Sequence, residues 1–588
     1  MKITMKSYIK LLLMAFMSTV LTTSCADFLD KKSLTEISDE TLWHDPELVE
    51  SFVNSRYNQI GCSGAESMQS SIVDETELPW LRGCEVHNFA RVSATDLGRM
   101  NGAWYGWDNR SWGTKWRNIS NCNIFFERVD GVPFTNEQKK IRLKGQVRFI
   151  RAFEYWDLIA RWGGIPIITK SFTINDQGEI LNQKRASYKE CIDFLITELD
   201  QATTELPPSW SGDNYGRATS VAALALKSRI LLYAASPLMN ENVKMPEIGY
   251  ITPETGRWQK AADAATAALQ AAIDAGYKLY NLNQDPAKNY QQLFMDNTAA
   301  NKETLFARMG TSSSDGQSIS SCDQYNNPNG YGGWGGNCPL QELVDAYEVV
   351  KGGIASAFDW KNVEEAANPY ADRDPRFYAT ILYDGASWMT RNVETFFNID
   401  TGGKETGGGR DTKYGNDSWN ASPTGYYMKK FMDEGYVLNS WNFRARNWIH
   451  LRMAELYLNQ AEALFHIGDE NGALKALNTV RKRAGMPNVS ARGEKLQEAV
   501  KHERRIELAF EEHRYFDVRR WKDAPKYFGT TVHAIYIKKH PDGRKTYEVS
   551  KLRSDVGGDR KWDDKMYWLP ITKSERDKNP DFVQNPGY

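Results

Sequence analysis

Helical periodicity appears in two blocks of this 588-residue chain, at about 112–275 and 440–530, and fades between them. In the second block, apolar residues recur every three or four positions over 449–464 and again over 473–484, which predicts two consecutive helices. Residues 276–440 are instead rich in Gly, Asn and Tyr, with short strand-like runs. The sequence therefore predicts a mainly α fold, in which a helical scaffold carries a loop-rich, aromatic-bearing lobe.

One predicted helix, at 147–160, is hydrophobic almost all round, which is typical of a buried central helix. Its charged residues repeat every three positions and form one stripe. We expect Arg151 to pair with Glu154, and Asp157 with Arg161, within this stripe or against packed neighbours. Salt bridges between helices explain the stripe better than a proton relay does.

The two C-terminal helices place small residues at their contact and resemble a tetratricopeptide unit. Further helices are predicted at about 46–60, 186–203, 218–235, 257–275 and 495–515. No low-complexity linker divides the chain, so we expect a signal segment at 1–24 followed by a single domain at 25–588.

The N-terminal segment predicts export. Three spaced lysines precede an eleven-residue apolar run from Leu11 to Leu21, and small polar residues then lead to Cys25. The run is too short to span a membrane, which takes roughly 20 apolar residues, and the pattern is that of a secretory signal. The end of the segment resembles a bacterial lipobox, although Thr22 and Thr23 depart from its strict form. We expect Cys25 to be the acylated first residue of the mature protein.

Charge and cysteine content narrow the possible partners. The chain has 73 Lys and Arg against 75 Asp and Glu, a net charge of −2, and no basic stripe, so nucleic acid is an unexpected partner.

Six cysteines remain besides Cys25. Two pairs, Cys62 with Cys84 and Cys322 with Cys338, could form disulfides in an oxidising compartment, and the sequence leaves this open.

Ordered blocks along the whole chain resemble the SusD/RagB family of surface lipoproteins from Bacteroidetes-type bacteria. The blocks are CADFLD (25–30), GQVRFIRAFEYWDLIARWGGIPIIT (145–169), GRATSVAALALKSRILLYAASP (216–237), PLQELVDAYE (339–348), DPRFYATI (374–381), TGYYMKKF (424–431), WIHLRMAELYLNQAEAL (448–464), VRKRAGMP (480–487), RRIELAFEEHRYFDVRRW (504–521), YWLPITKSE (567–575) and QNPGY (584–588). So many blocks in order are far more specific than one short motif.

The resemblance implies a binding protein rather than an enzyme. Such proteins hold glycan at the cell surface, are anchored in the outer membrane by lipid, and cover a SusC-like TonB-dependent transporter that takes up the oligosaccharide. Loops vary within the family, so the identity of the glycan does not transfer. The alternative function is a helical-repeat scaffold lipoprotein that binds a peptide or protein partner.

Two aromatic loop segments are the candidate glycan-binding sites, because sugars offer apolar C–H faces to flat rings. The predicted residues are Trp80, Asn101, Trp104, Tyr105, Trp107, Tyr325, Tyr331 and Trp334. Glycines around Trp334 would leave its ring exposed. By contrast, Trp112 and Trp116 are in helical register with Ile119 and are assigned to the core.

Asp74 and Arg82 are weaker polar candidates for contacting ligand. The cluster of Asp74 with Glu75 and Glu77 is interpreted as solvated or loop-capping rather than as a hydrolytic carboxylate pair. His502 and His513 lack the spacing of a zinc protease. We therefore expect no catalytic residues and no cofactor, and we identify no metal ligands, although the sequence leaves open a metal bound in the 276–440 lobe.

Overall fold

The computed structural model describes residues 39–63, 68–80, 83–101, 111–310 and 319–588, without the side chains of residues 39, 40, 101 and 174. The predicted signal segment 1–24 and Cys25 lie outside the described residues.

Long helices dominate the first part of the chain. The helices of this part, long and short, are α1 Asp39–Leu42, α2 Pro46–Tyr57, α3 Cys84–Asn88, α4 Trp112–Arg128, α5 Glu137–Trp162, α6 Gln177–Ile180, α7 Tyr188–Glu205, α8 Ser220–Ala235, α9 Pro237–Asn240 and α10 Arg257–Asp274.

The helices of the middle part are short, and long helices return near the C-terminus. The middle helices are α11 Pro286–Leu293, α12 Cys322–Asn326, α13 Gln341–Ala346, α14 Val363–Ala367 and α15 Pro375–Thr380. The C-terminal ones are α16 Met453–His466, α17 Glu470–Arg483, α18 Glu494–Glu507, α19 His513–Arg520, α20 Ala524–Tyr527 and α21 Lys573–Lys578.

The long helices form a continuous packed series. α4 packs on α5, α5 on α7, α7 on α8, α8 on α10, α10 on α16, and α16 on α17 and α18. Local sequence sets their ends: Ser187 and Glu190 form a capping box at the start of α7, and Gly163 ends α5. The prediction of a mainly α fold with a tetratricopeptide-like scaffold is confirmed.

The central helix α5 is buried along most of its length, as predicted. Its charged stripe joins it to its neighbours: Arg148 and Arg151 pair with Glu198 of α7, and Lys115 of α4 pairs with Glu154. The predicted pairing of Arg151 with Glu154 was therefore wrong, since each side chain finds a partner on a different packed helix. The predicted pairing of Asp157 with Arg161 is present.

The strands are short and belong mostly to the lobe. They are β1 Thr76–Glu77, β2 Thr304–Arg308, β3 Cys338–Pro339, β4 Val349–Lys351, β5 Ile354–Ser356, β6 Ile381–Leu382, β7 Ser387–Trp388, β8 Arg391–Asn392, β9 Phe397–Ile399, β10 Glu405–Gly408, β11 Tyr427–Met428, β12 Trp448–Arg452, β13 His533–Lys539 and β14 Lys545–Lys551.

Most strands form two-stranded pairs, and four of them form one sheet with the order β10-β9-β13-β14. The lobe has its own hydrophobic core, which includes Tyr347, Phe377, Trp388 and Tyr427. Ile506 at the end of α18 and Phe510 just after that helix are buried in the same core.

Two helix predictions in the C-terminal block were wrong in detail. The predicted helix at 449–464 begins only at Met453, because residues 448–452 form β12 and pair antiparallel with β2. The predicted helix at 495–515 is broken after Glu507, where Phe510 and Glu512 have φ of 64° and 67°. Left-handed backbone at two non-glycine residues ends α18 and redirects the chain into α19.

The two disulfides that the sequence left open, Cys62 with Cys84 and Cys322 with Cys338, are not formed. Cys62, Cys84, Cys122, Cys191, Cys322 and Cys338 are buried thiols, and none of them forms a disulfide. Within the described part of the chain, no helix is both long and apolar enough to cross a bilayer.

Candidate functional site

A short strand pair brings together two tryptophans that are far apart in sequence. Thr76 and Glu77 of β1 pair antiparallel with Pro339 and Cys338 of β3. Trp80 follows β1 and Trp334 precedes β3, so their rings meet edge-to-face with centroids 6.2 Å apart. Both side chains are half-buried.

Two further tryptophans extend this pair and were not identified from the sequence. The ring of Trp419 lies 6.3 Å from that of Trp80, and the ring of Trp441 lies 5.9 Å from that of Trp334. Trp419 is 65% exposed and Trp441 is 46% exposed. We call Trp80, Trp334, Trp419 and Trp441 the indole cluster; its two inner rings support two outer rings that face solvent.

The sequence did carry a signal for these two residues. Trp419 is flanked by Ser418 and Asn420, and Trp441 by Ser440 and Asn442, within loops rich in Gly, Asn and Asp. This is the same kind of context that singled out Trp334. Glycines are denser around Trp334 than around Trp419 or Trp441, so the sequence signal is strongest at Trp334.

Gly335 allows the Trp419 loop to approach Trp334. A Cβ atom on Gly335 would lie 2.1 Å from the carbonyl oxygen of Asn420, and φ at Gly335 is 59°. Both the close contact and the left-handed backbone require glycine at this position. The glycine-rich segment thus shapes the packing of loops around Trp334 as well as exposing its ring.

Trp441 lies on a loop, residues 433–446, whose backbone is strained. Asn439 and Trp441 have φ of 61° and 55°, conformations that cost free energy for residues other than glycine. Val437 of the same loop is 70% exposed. Strained backbone and exposed apolar side chains in one loop are typical of ligand-binding surfaces.

The two predicted tyrosines lie beneath or beside the indole cluster. Tyr325 is only 5% exposed and packs edge-to-face on Trp334 at 4.8 Å. Tyr331 is half-buried, and the guanidinium of Arg391 lies 3.8 Å from its ring centroid. Its hydroxyl donates to the carbonyl oxygens of Trp388 and Arg391. These contacts fix both rings as supports and leave the outer indoles as the exposed apolar surface.

Asp74 is placed differently from its predicted role as a ligand-binding residue. It is 2% exposed, and its carboxylate accepts hydrogen bonds from Arg514 and forms an ion pair with Arg505 at 2.8 Å. Burial raises the pKa of Asp74, but these arginines outweigh it and lower the pKa to about 2. The side chain is held in the protein interior, because two guanidinium groups compensate its charge.

The neighbouring carboxyl groups are also buried rather than solvated, which corrects the interpretation of this acidic run. Burial, and then the adjacent charge of Asp74, raise the pKa of Glu75 to about 8. Burial raises the pKa of Glu77 to about 7, against the opposing charge of Arg560. Both carboxyl groups therefore lie in the protein interior, one at the residue before β1 and the other in β1 itself.

Several predicted residues cannot be placed. Arg82, Trp104, Tyr105 and Trp107, together with the side chain of Asn101, lie outside the described residues. Within the described ranges, no group of three or more His, Cys, Asp or Glu side chains is arranged to hold a metal ion. What the described site offers is an exposed indole surface bordered by amide and hydroxyl side chains.

Comparison with known proteins agrees with this architecture. A model of the SusD family matches residues 302–588, and a second model, described as starch-binding associating with outer membrane, matches residues 27–232. The crystal structure of a SusD-like protein from Bacteroides fragilis is 31% identical, with a TM-score of 0.74, and covers 95% of this chain and 100% of its own. The chain belongs to the SusD family.

Two further comparisons show how far the likeness extends. SusD-like protein P2 of Formosa agariphila is 25% identical over 474 residues, which is 78% of this chain and 76% of that protein. Surface glycan-binding protein A from Bacteroides fluxus shares the fold, with a TM-score of 0.60 over 92% of this chain and 100% of its own, at 20% identity. The resemblance proposed from the sequence is confirmed.

Proposed function

We propose that this protein is a surface glycan-binding lipoprotein that captures oligosaccharide and delivers it to a TonB-dependent transporter in the outer membrane. The observation that carries the proposal is the indole cluster, with Trp419 and Trp441 exposed at its two ends. Membership of the SusD family supports it, as does the description of the model that matches residues 27–232.

The physical basis is the apolar face of a pyranose ring. Covering one indole face buries roughly 50–80 Å², which at about 25 cal/mol per Å² contributes about 1–2 kcal/mol. Several such contacts, less the free energy of ordering the ligand, give affinities from micromolar to millimolar. Weak binding suits a protein that must release its ligand to a transporter. Capture and release break no covalent bond of the glycan.

The site on the protein is proposed as follows. Trp80, Trp334, Trp419 and Trp441 form the described part of the platform, and Tyr325 and Tyr331 support it. Asn101, Trp104, Tyr105, Trp107 and Arg82 remain candidates on the adjoining segment. The acylated Cys25 would tether the protein to the outer membrane, as the sequence around it predicts.

A groove on the scaffold favours a second function, binding of a peptide or protein partner. It has a volume of about 770 Å³ between α7, α8 and α10. Ile196, Leu231 and Ala267 contribute apolar lining, while Lys189 and Asp263 are among the charged groups beside it. An apolar groove with charges of both signs suits an amphipathic helix.

Glycan binding is tested by replacing the two exposed indoles together. Mature protein carrying Trp419→Ala and Trp441→Ala is compared with wild type by affinity electrophoresis in gels containing starch or laminarin, and on a wider glycan array. We expect Kd to rise at least about 30-fold, because two ring faces are lost. The melting temperature should change by less than about 2 °C, since both residues are exposed.

Trp258→Ala is the matched control. Trp258 is a half-buried tryptophan of the scaffold, and its ring stacks on His466 at 3.7 Å. We expect this variant to lower the melting temperature but to retain glycan. Undiminished retention by the double variant would contradict the proposed site. If wild type binds no glycan but captures a peptide in the scaffold groove, the second function is favoured.

A further inference from the structure

Two consecutive buried residues of α12 hold the loop that carries Trp441. Asp323 and Gln324 are both fully buried. The carboxylate of Asp323 accepts a hydrogen bond from the backbone N–H of Asp433 at 2.7 Å and pairs with Arg446 at 2.9 Å. Asp323 therefore fixes both ends of the 433–446 loop.

Gln324 fixes the middle of the same loop. Its Oε1 accepts a hydrogen bond from the backbone N–H of Asn439 at 2.7 Å, and its Nε2 donates to Oδ1 of Asn439 at 3.2 Å. Nε2 also donates to the carbonyl oxygen of Gly332 at 3.0 Å. One buried amide thus bonds both the Trp441 loop and the segment that leads into Trp334.

The two segments also touch each other directly. A Cβ atom on Gly332 would lie 2.8 Å from Nδ2 of Asn439, and φ at Gly332 is 93°. The backbone N–H of Trp334 in turn donates to the carbonyl oxygen of Gln324 at 3.0 Å. Position 324 is therefore bonded to Trp334 through its backbone and to the Trp441 loop through its side chain.

The strained backbone of this loop makes such support necessary. Asn439 and Trp441 both occupy left-handed conformations, which persist only where surrounding contacts over-determine them. Asn439, the residue that Gln324 bonds twice, is two positions before Trp441. Loss of those bonds lets the loop relax and moves the Trp441 ring away from Trp334.

We propose that Gln324 is a positioning residue that sets the affinity for glycan through Trp441, without contacting the glycan itself. Its side chain is fully buried, so a ligand on the indole surface does not reach it. The inference rests on the proposed function of the indole cluster, and it adds a specific cause for the placement of one exposed ring.

The test uses Gln324→Met, which keeps the volume of the side chain and removes its hydrogen bonds. Retention in laminarin and starch gels should fall about 5-fold in apparent affinity. In the Trp441→Ala background the same substitution should change affinity less than 2-fold, because Gln324 acts through that ring. Equal effects in both backgrounds would overturn the proposal, since they would show that Gln324 acts elsewhere.

Hydrogen exchange of wild type and variant without ligand gives a readout that does not depend on glycan binding. Amides in 433–446 should exchange at least 10-fold faster in Gln324→Met. Gly332→Ala, which pushes on Asn439, should have the same effect if the first variant folds poorly. Unchanged exchange in both variants overturns the inference even where glycan binding by wild type is established.

Gln341→Met is the matched control. Gln341 is also buried in the lobe, donates to Asp345 and accepts from Tyr426, and has no part in the indole cluster. The Gln341→Met variant should lower the melting temperature as much as Gln324→Met does. Its affinity for glycan and the hydrogen exchange of 433–446 should stay unchanged. If wild type binds neither starch nor laminarin nor any glycan on the array, the proposed function fails, and so does the claim about affinity. Hydrogen exchange of 433–446 then decides by itself whether Gln324 holds the loop.

Discussion

The buried ion network near α18 and the indole cluster use opposite chemistry. In the network, Arg452 pairs with Glu303, Glu507 and Glu511 at 2.6–2.7 Å, and all four side chains are almost completely buried. Burial alone raises the pKa of Glu507, but the surrounding arginines lower it strongly. The indole cluster instead exposes uncharged rings that are positioned by an amide and by glycines.

The comparison shows where this protein uses its charges. Paired charges lock segments that are distant in sequence, since β12, α18 and the 303 region all meet at Arg452. The proposed glycan-binding surface needs no charge, because a neutral sugar offers none to pair with.

The largest expected effect comes from breaking the ion network. Arg452→Met leaves three buried carboxylates without their shared partner, so we expect the free energy of unfolding to fall by about 3–5 kcal/mol. Denaturant titration measures this. Lys189→Met, which removes an exposed pair with Asp193, should change stability by less than about 1 kcal/mol.

Both variants should keep the wild-type affinity for glycan at temperatures where they are folded. A loss of affinity in folded Arg452→Met would show that the network and the indole surface are coupled, which breaks the separation of roles drawn above.

A smaller, pH-dependent effect is expected at the buried Glu75. The folded-state pKa of Glu75 is raised to about 8, whereas glutamate in an unfolded chain ionises near 4.3. Stability from the protonated carboxyl is complete below about pH 4 and is lost as pH rises to 8. Glu75→Gln should therefore be more stable than wild type by a few kcal/mol at pH 8, and similar at pH 4.

The adjacent Asp74 should show the opposite sign. Its lowered pKa means that its contribution is present above about pH 4 and disappears as pH falls through about 2. Asp74→Asn is therefore expected to destabilise the protein at neutral pH. Thermal unfolding from pH 2 to 8 measures both variants, and parallel profiles for the two would refute the assignment of charges.

The smallest effect concerns salt. Because the indole cluster is proposed to bind through apolar contact, raising NaCl from 50 to 500 mM should change Kd for a neutral glycan less than about 2-fold. Isothermal titration with laminarin oligosaccharide measures this. A steep loss of affinity with salt would indicate that charged side chains take part, with Arg82 the first to replace.

Some structural elements follow directly from the sequence. The helices at 188–205, 220–235 and 257–274 lie within about two residues of their predicted positions, because apolar periodicity and caps are local signals. The roles of Trp112 and Trp116 were also predictable, since both rings pack against the core in helical register.

Other elements depended on contacts that no local pattern encodes. Residues 449–452 have helical periodicity but form β12, because β2, more than a hundred residues earlier, offers a strand partner. The sequence predicts an exposed Asp74, but the residue is buried because Arg505 and Arg514 form ion pairs with it. The positions of Trp419 and Trp441 beside Trp80 and Trp334 also depend on contacts between segments that are distant in sequence.

The sequence by itself determined the helical scaffold and the resemblance to the SusD family, since helical periodicity and family motifs are both readable within short stretches of the chain. The tertiary structure alone decided which rings face solvent and which are supports. The reason is physical: exposure of a ring depends on the segments packed around it, and here those segments come from positions 80, 334, 419 and 441.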